Sequence, residues 1–293
     1  FEGRVRLEVV AGCENVASPG THLIHEVLHF RGYFPGRGAL QEALGIHRPV
    51  ECEPSSELRL QLVGVHAGGA GLLMQELPNA TCVVHRFGAR HMIDPGKLVA
   101  GTEAVYGVEQ TRRTYGTIVP IDERRIHIPE DGDWISLNGR ELQLLNTEGH
   151  ARHHHVINDP ASKGVFTGDS FGVSYRELDT DKGEIVFPTT TPVQFDPDEA
   201  HKAVDRIMGC KPRYVYLTHY SRVEELERHA ARLHTDIDAF VDMTMQHKDD
   251  ENRDALIQQA MDDYLSGRLI AHGFKGDRDA IWSVLSIDIE LNA

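Results

Sequence analysis

From Leu58 onward the chain alternates between short apolar runs and longer stretches with helical spacing, a rhythm that predicts strands interleaved with helices. Leu58 to Val65 (LRLQLVGV) reads as a buried strand, followed by a glycine-rich turn and helix start (HAGGAGLLMQEL). A second strand is expected at Thr81 to His85, then helices from Arg86 to Tyr106 with a restart at Pro95, a residue suited to a first helical turn. From Thr117 the texture turns to β. IVP, RRIHIPE, DWISL and ELQLLNT are short segments separated by turn signals such as Asn138-Gly139, and HHVIND and GVFTGD flank a turn at Pro160 to Gly164. A helix from Asp196 to Met208 leads to the strand Arg213 to Leu217. Three helices follow, over Val223 to Gln246, Asp250 to His272 and Asp277 to Leu291.

Residues 1–59 keep neither period, and Pro19-Gly20 and Pro35-Gly36 interrupt them. The expected division is a poorly defined segment over 1–59, a layered α/β domain over 60–225 and a helical extension over 226–293.

Composition narrows the function. A formal charge of -15 repels phosphate backbones, so nucleic acid is a poor partner and a small-molecule substrate is expected, with oligomeric state open. Cys13, Cys52, Cys82 and Cys210 are widely spaced with no CxxC pair, which fits a reducing compartment. No apolar run approaches the ~20 residues of a membrane span, and no charged-then-apolar leader is visible. A cytoplasmic protein with no membrane partner is the expectation.

The chain holds 18 His, and their placement matters more than their number. Four segments put potential metal ligands at the ends of predicted strands: Val65-His66-Ala67-Gly68-Gly69, Thr147-Glu148-Gly149-His150, Thr167-Gly168-Asp169 and Leu217-Thr218-His219. A hydrolytic metal site needs imidazole nitrogens and carboxylate oxygens converging at about 2.0–2.2 Å, and loops fixed by rigid strands supply them. Each segment alone is uninformative; their order and shared strand-end position carry the reading.

HAGGAG after a strand, then TEGHARHHHV, GVFTGDS and YVYLTH, follows the motif order of metallo-β-lactamase-fold hydrolases, and the chain resembles that family over about residues 60–293. LPNATCVVHRFGARHMIDPGKL and the tail ending in IDIELNA also look like a bacterial subgroup of it. The resemblance implies an αββα sandwich with metals at one edge. It makes His150 a ligand of a first metal, Asp169 the bridge between two ions, and His66 and His219 ligands of the second. His150 and Asp169 then also count as catalytic. One departure is large: the family's His-x-His-x-Asp-His motif survives only as His66, with Gln61, Val63 and Val65 at the other positions. Either the chain is a degenerate member holding one metal, or its first ~65 residues come from a disturbed reading frame or a chimeric gene.

A competing motif lies upstream. His25-Glu26-Val27-Leu28-His29 matches HExxH, whose two His lie one helical turn apart and share a zinc while the Glu acts as base. The position where a metzincin would place its third ligand is Pro35, and nothing between residues 36 and 60 reads as a helix carrying a distant Glu. Smaller candidates are His85 for substrate contact, two of the run His153, His154 and His155 facing the metals, and Tyr220 donating to a substrate oxygen. Each also has a plain packing role.

The expected function is metal-dependent hydrolysis of a small ester, lactone, thioester or amide-like bond by metal-activated water, through His66, His150, Asp169 and His219. Zinc is the default cofactor, as one or two ions, and iron or manganese suit the same ligands. The alternatives are an impaired member with one or no metal, and an HExxH zinc protease.

Overall fold

The computed structural model describes residues 8–11 and 67–293, except 138, 192, 193 and 221. The expected strand Leu58 to Val65 and the positions Gln61, Val63, Val65 and His66 lie outside the described residues, as do His25, Glu26 and His29. The described residues fall into two compact units, one ending at Leu144 and the other running from Leu145 to Ala293. Among them, no helix is long and apolar enough to cross a membrane.

In the first unit, β1 (Glu8–Ala11), β2 (Thr81–Val84) and β3 (Ile126–His127) form a parallel sheet in that order. Cys82, Val83 and Val84 are fully buried, as a central parallel strand requires of its side chains. The glycine run opens α1 (Ala67–Glu76), where Gly71 passes so near Val119 that a Cβ would lie 1.8 Å from its carbonyl oxygen. Arg125 closes the far end of α1, donating to the carbonyls of Met74 (2.6 Å), Leu77 and Ala80 (3.2 Å from Nε), which the helix and its exit turn leave open. The expected helices are α2 (Arg86–Ile93) and α3 (Gly96–Tyr106).

Three differences from the sequence expectation occur here. A further helix, α4 (Val108–Tyr115), starts after Gly107 at φ +82°, and the IVP segment forms no strand. RRIHIPE contributes only the two residues of β3, because the Asp122 carboxylate accepts from the Arg124 backbone N–H (3.0 Å) and turns the chain locally before it can extend. β4 (Trp134–Leu137) and β5 (Arg140–Asn146) then pair antiparallel, and the division between the units falls within β5.

The second unit carries β6 (His155–Asp159), β7 (Gly164–Gly168), β8 (Tyr214–Leu217) and β9 (Arg222–Val223), hydrogen-bonded in that order. β6 runs antiparallel to β7, β7 parallel to β8, and β8 antiparallel to β9. The parallel step is made through α5 (Pro197–Gly209), whose start is fixed by Pro197 and by Asp196, which accepts from the Glu199 N–H at 3.1 Å. Val156, Val165 and Val215 from the strands pack with Val204 and Ile207 of α5 and with Leu226 and Leu233 of α6 (Leu226–His247). A second buried cluster joins Val173, Leu178 and Phe187 to Phe240 of α6, Met261 and Leu265 of α7 (Arg253–His272), and Ile281 and Leu285 of α8 (Arg278–Asn292). The C-terminal helices therefore share a core with the segment that follows β7.

Gly149 sits where α5 begins, and a Cβ there would meet Ala200 N and Cα at 2.2 Å. Gly149→Ala is expected to lower the stability of this unit by about 2 kcal/mol or more, since backbone atoms must move. Urea unfolding checks this; an unchanged midpoint would show that α5 slides without cost.

Candidate metal centre

Strand direction brings three of the predicted residues, His150, Asp169 and His219, to one edge. β7 and β8 are parallel, so Asp169, just past β7, and His219, two residues past β8, emerge at the same end. β6 is antiparallel to β7, so its entry loop returns to that end carrying His150. That loop is pinned by the Thr147 N–H donating to the His154 carbonyl (3.0 Å) and the His154 N–H donating to the Ala151 carbonyl (3.0 Å).

Each oxygen of the Asp169 carboxylate faces a different imidazole. His150 Nε2 lies 3.8 Å from Oδ2 and His219 Nε2 lies 3.8 Å from Oδ1. Both separations are too long for hydrogen bonds, whose range ends near 3.2 Å. They lie under the ~4.2 Å ceiling for two atoms that each bind one ion at ~2.1 Å. The arrangement is one carboxylate set between two imidazoles. No three His, Cys, Asp or Glu among the described residues are grouped so as to hold an ion. His150 and Asp169 are buried, and the His219 side chain is 23% exposed, which leaves one side open for entry.

The surroundings set the chemistry of the donors. His150 Nδ1 lies 3.1 Å from the Thr189 carbonyl, an acceptor, so this nitrogen carries the proton and Nε2 presents its lone pair toward Asp169. Behind the carboxylate, His154 Nε2 accepts the Asp169 backbone N–H at 3.3 Å. His154 Nδ1 then donates toward Ser170 Oγ (3.1 Å), which itself donates to Thr147 Oγ1 (2.9 Å). His154 thus ties the loop before β6 to the end of β7. The donor set, the tautomer at His150 and the two separations fit a zinc- or iron-type ion.

α8 supports this edge from behind. The Asn292 side-chain oxygen accepts from the Thr190 N–H and from Thr190 Oγ1 (2.6 Å), fixing the loop whose Thr189 carbonyl orients His150. Asp288 accepts from the Tyr175 hydroxyl (2.9 Å), and the neighbouring Ser174 N–H donates to the His219 carbonyl (3.1 Å). Burial pushes the Asp288 carboxyl up to about 6. Beside His150 and Asp169 lies a small pocket with an apolar wall of Pro188, Phe195, Val204, Leu233 and Ile237.

A model of the metallo-beta-lactamase superfamily matches residues 66–219, a little over half of the chain. The chain belongs to that superfamily. The matched span opens at His66 and closes at His219, so Gln61, Val63 and Val65 lie upstream of it. The α/β fold class expected from the sequence stands with the assignment to this metallo-beta-lactamase superfamily. One relative is a metallo-beta-lactamase fold-containing protein, ST1585, from Sulfurisphaera tokodaii. It is 32% identical over 100 residues, which is 34% of each chain, so the match spans about a third of that relative's length. Its crystal structure, described as that of an archaeal metallo-beta-lactamase superfamily protein, superposes with a TM-score of 0.46 at 24% identity. The match covers 59% of this chain and 63% of that one. A metallo-beta-lactamase family protein, TTHA1429, from Thermus thermophilus gives 0.49 at 18% identity over 75% and 70% of the two chains.

The remaining candidates have local roles in the structure. His85 caps α2, its Nδ1 accepting the Phe87 N–H at 3.3 Å, and burial with the adjacent Arg86 charge pushes it down to about 4. Tyr220 donates to Asp179 (2.9 Å) under the Arg176 guanidinium, and burial with that carboxylate pushes its phenol up to about 12. Of the run His153 to His155, the last two are buried and His154 takes the positioning role described. Sequence reading missed Thr189, whose contribution is a backbone carbonyl that no side-chain pattern can reveal. It also missed Asn292, whose contact is more than 100 residues distant along the chain.

Proposed function

We propose that the chain is a metal-dependent hydrolase of a small ester, lactone, thioester or amide-like substrate, with His150, Asp169 and His219 as metal ligands and His66 as the fourth. The observation that carries this reading is the Asp169 carboxylate held between two imidazoles, with the His150 tautomer set for ligation. A bound divalent ion would polarise the scissile carbonyl and acidify a water molecule at neutral pH. The chain's own residues hold the donors in place and shape the pocket. The Thr189 carbonyl keeps the His150 proton on Nδ1, His154 fixes the Asp169 backbone, and Phe195, Pro188 and Leu233 form an apolar wall beside the donors. Widely spaced cysteines and the acidic charge support a cytoplasmic enzyme without nucleic-acid or membrane partners.

Metal analysis of chelator-stripped protein reconstituted with zinc, iron or manganese, followed by a panel of esters, lactones and thioesters, tests this reading. About two ions per chain with turnover supports the hydrolase. One ion or none without turnover supports the impaired member, for which the changes at Gln61, Val63 and Val65 speak. Loss of metal on His25→Ala but not on His150→Ala would give the protease reading instead.

Positioning by α8 has its own test. Asn292→Ala is expected to weaken metal binding about 10-fold, the usual scale for groups that orient a ligand, without unfolding the chain. Asn292→Asp, which keeps the acceptor for Thr190, is expected to stay within about threefold of the parent on the same scale. Equal affinity of the Ala variant and the parent, by calorimetry, would remove Asn292 from the supporting structure.

A further inference from the structure

A second group of metal-type side chains lies on the outer side of α5 and α6, apart from the Asp169 edge. His201 of α5 and His234 of α6 meet edge to edge, with ring centroids 4.9 Å apart and planes 8° from parallel. Their Nδ1 atoms approach to 2.6 Å. Each ring reaches with its other nitrogen to a carboxylate on the opposite helix. His201 Nε2 lies 3.1 Å from Asp238 and His234 Nε2 lies 3.2 Å from Asp205. Each helix thus contributes His-x3-Asp, one turn apart on one face, and the two pairs are cross-connected.

A carboxylate accepts only, so both Nε2 atoms carry hydrogen. Two neutral rings protonated at Nε2 then present two lone pairs at Nδ1, aimed at each other across 2.6 Å. A cation must stand between them, either a shared proton or a metal ion. Nitrogen ligands with a carboxylate accepting from the far ring nitrogen are the usual arrangement of metal-bound His. An ion at ~2.0–2.1 Å from both nitrogens needs them about 3.0–3.4 Å apart, a small opening for side chains that are 26% and 31% exposed. That exposure also admits water to complete the coordination.

We propose that His201 and His234 bind a first-row divalent ion of the zinc, nickel or copper type through their Nδ1 atoms, with Asp205 and Asp238 holding the Nε2 protons. Imidazole donors suit those ions, and the chain's net negative charge favours any cation. The ion would staple α5 to α6, whose inner faces supply Ala200, Val204, Leu233 and Ile237 to the pocket beside His150 and Asp169. Occupancy of this outer site therefore bears on the shape of that pocket. The site does not depend on the hydrolase reading.

The test uses the full chain, stripped with chelator, in an Asp169→Asn background so that the other centre is disabled. Copper(II) is titrated into this protein and into one that also carries His201→Asn and His234→Asn. The expected result is one fewer ion per chain in the second protein, with loss of an electron paramagnetic resonance signal showing two imidazole nitrogens. Asp205→Asn with Asp238→Asn, which keeps both imidazoles, is expected to weaken binding about 10- to 100-fold. Unchanged stoichiometry and spectrum in the His variant would overturn the proposal and leave a shared proton as the occupant. Should the double variant not fold by circular dichroism, His234→Asn alone decides the same question through loss or persistence of the two-nitrogen signal.

Discussion

On the proposed hydrolase reading, Asp169→Asn is expected to lower turnover of any substrate the chain hydrolyses by about 10²–10³-fold, the scale seen when one group stabilising transition-state charge is removed. The reason is geometric. One carboxylate faces both His150 and His219 at 3.8 Å, so losing its charge weakens both pairings at once. An amide keeps the shape but offers one oxygen and one NH2 group with two N–H donors, so one imidazole would face a donor in place of an anionic oxygen. Metal content after reconstitution should fall in parallel, while the circular dichroism spectrum stays as in the parent. His154→Ala should give a smaller loss of metal affinity, about 10-fold, because it removes only the acceptor for the Asp169 backbone N–H. Full metal content and full turnover in Asp169→Asn would mean that this edge is not the reaction centre.

The largest expected effect on stability lies at Asp236, away from that edge. Asp236 is fully buried in α6 and accepts from Arg268 Nη1 and from the Tyr264 hydroxyl (2.7 Å), with Arg232 Nε at 3.4 Å. The Arg268 side chain is itself only 9% exposed. Removing the carboxylate leaves a guanidinium charge in the interior with one weak contact to the Val186 carbonyl at 3.4 Å. Breaking a buried pair in this way costs about 3–5 kcal/mol, far more than the pair contributes over an apolar replacement. Asp236→Ala should therefore shift the urea midpoint of the metal-free protein down by more than about 1 M. Asp236→Asn, which still accepts from Tyr264 or Arg268, should fall between the two. A shift below about 0.3 M for the Ala variant would show that water reaches Arg268 and solvates it.

Much of the fold can be read from periodicity. The apolar runs at Thr81–Val84, His155–Asp159, Gly164–Gly168 and Tyr214–Leu217 are strands, and the three C-terminal helices lie where 3.6-residue spacing places them. Patterning succeeds there because burial on one face must repeat with the geometry of the element. It fails at Ile118–Pro120 and across RRIHIPE. A run of three or four residues carries too little periodic signal, and the Asp122 side chain bends the backbone through a contact of its own.

The sequence by itself determined which atoms are available: imidazoles and a carboxylate at strand ends, in the motif order of a metallo-beta-lactamase. Tertiary structure decided how they face one another, since a parallel β7–β8 step and an antiparallel β6 are long-range pairings that no local pattern encodes. It also decided the protonation at His150, through a carbonyl 39 residues away. The His201–His234 pair was invisible in the sequence for the same reason. Residues 33 apart on two helices become neighbours only when packing sets the helices side by side.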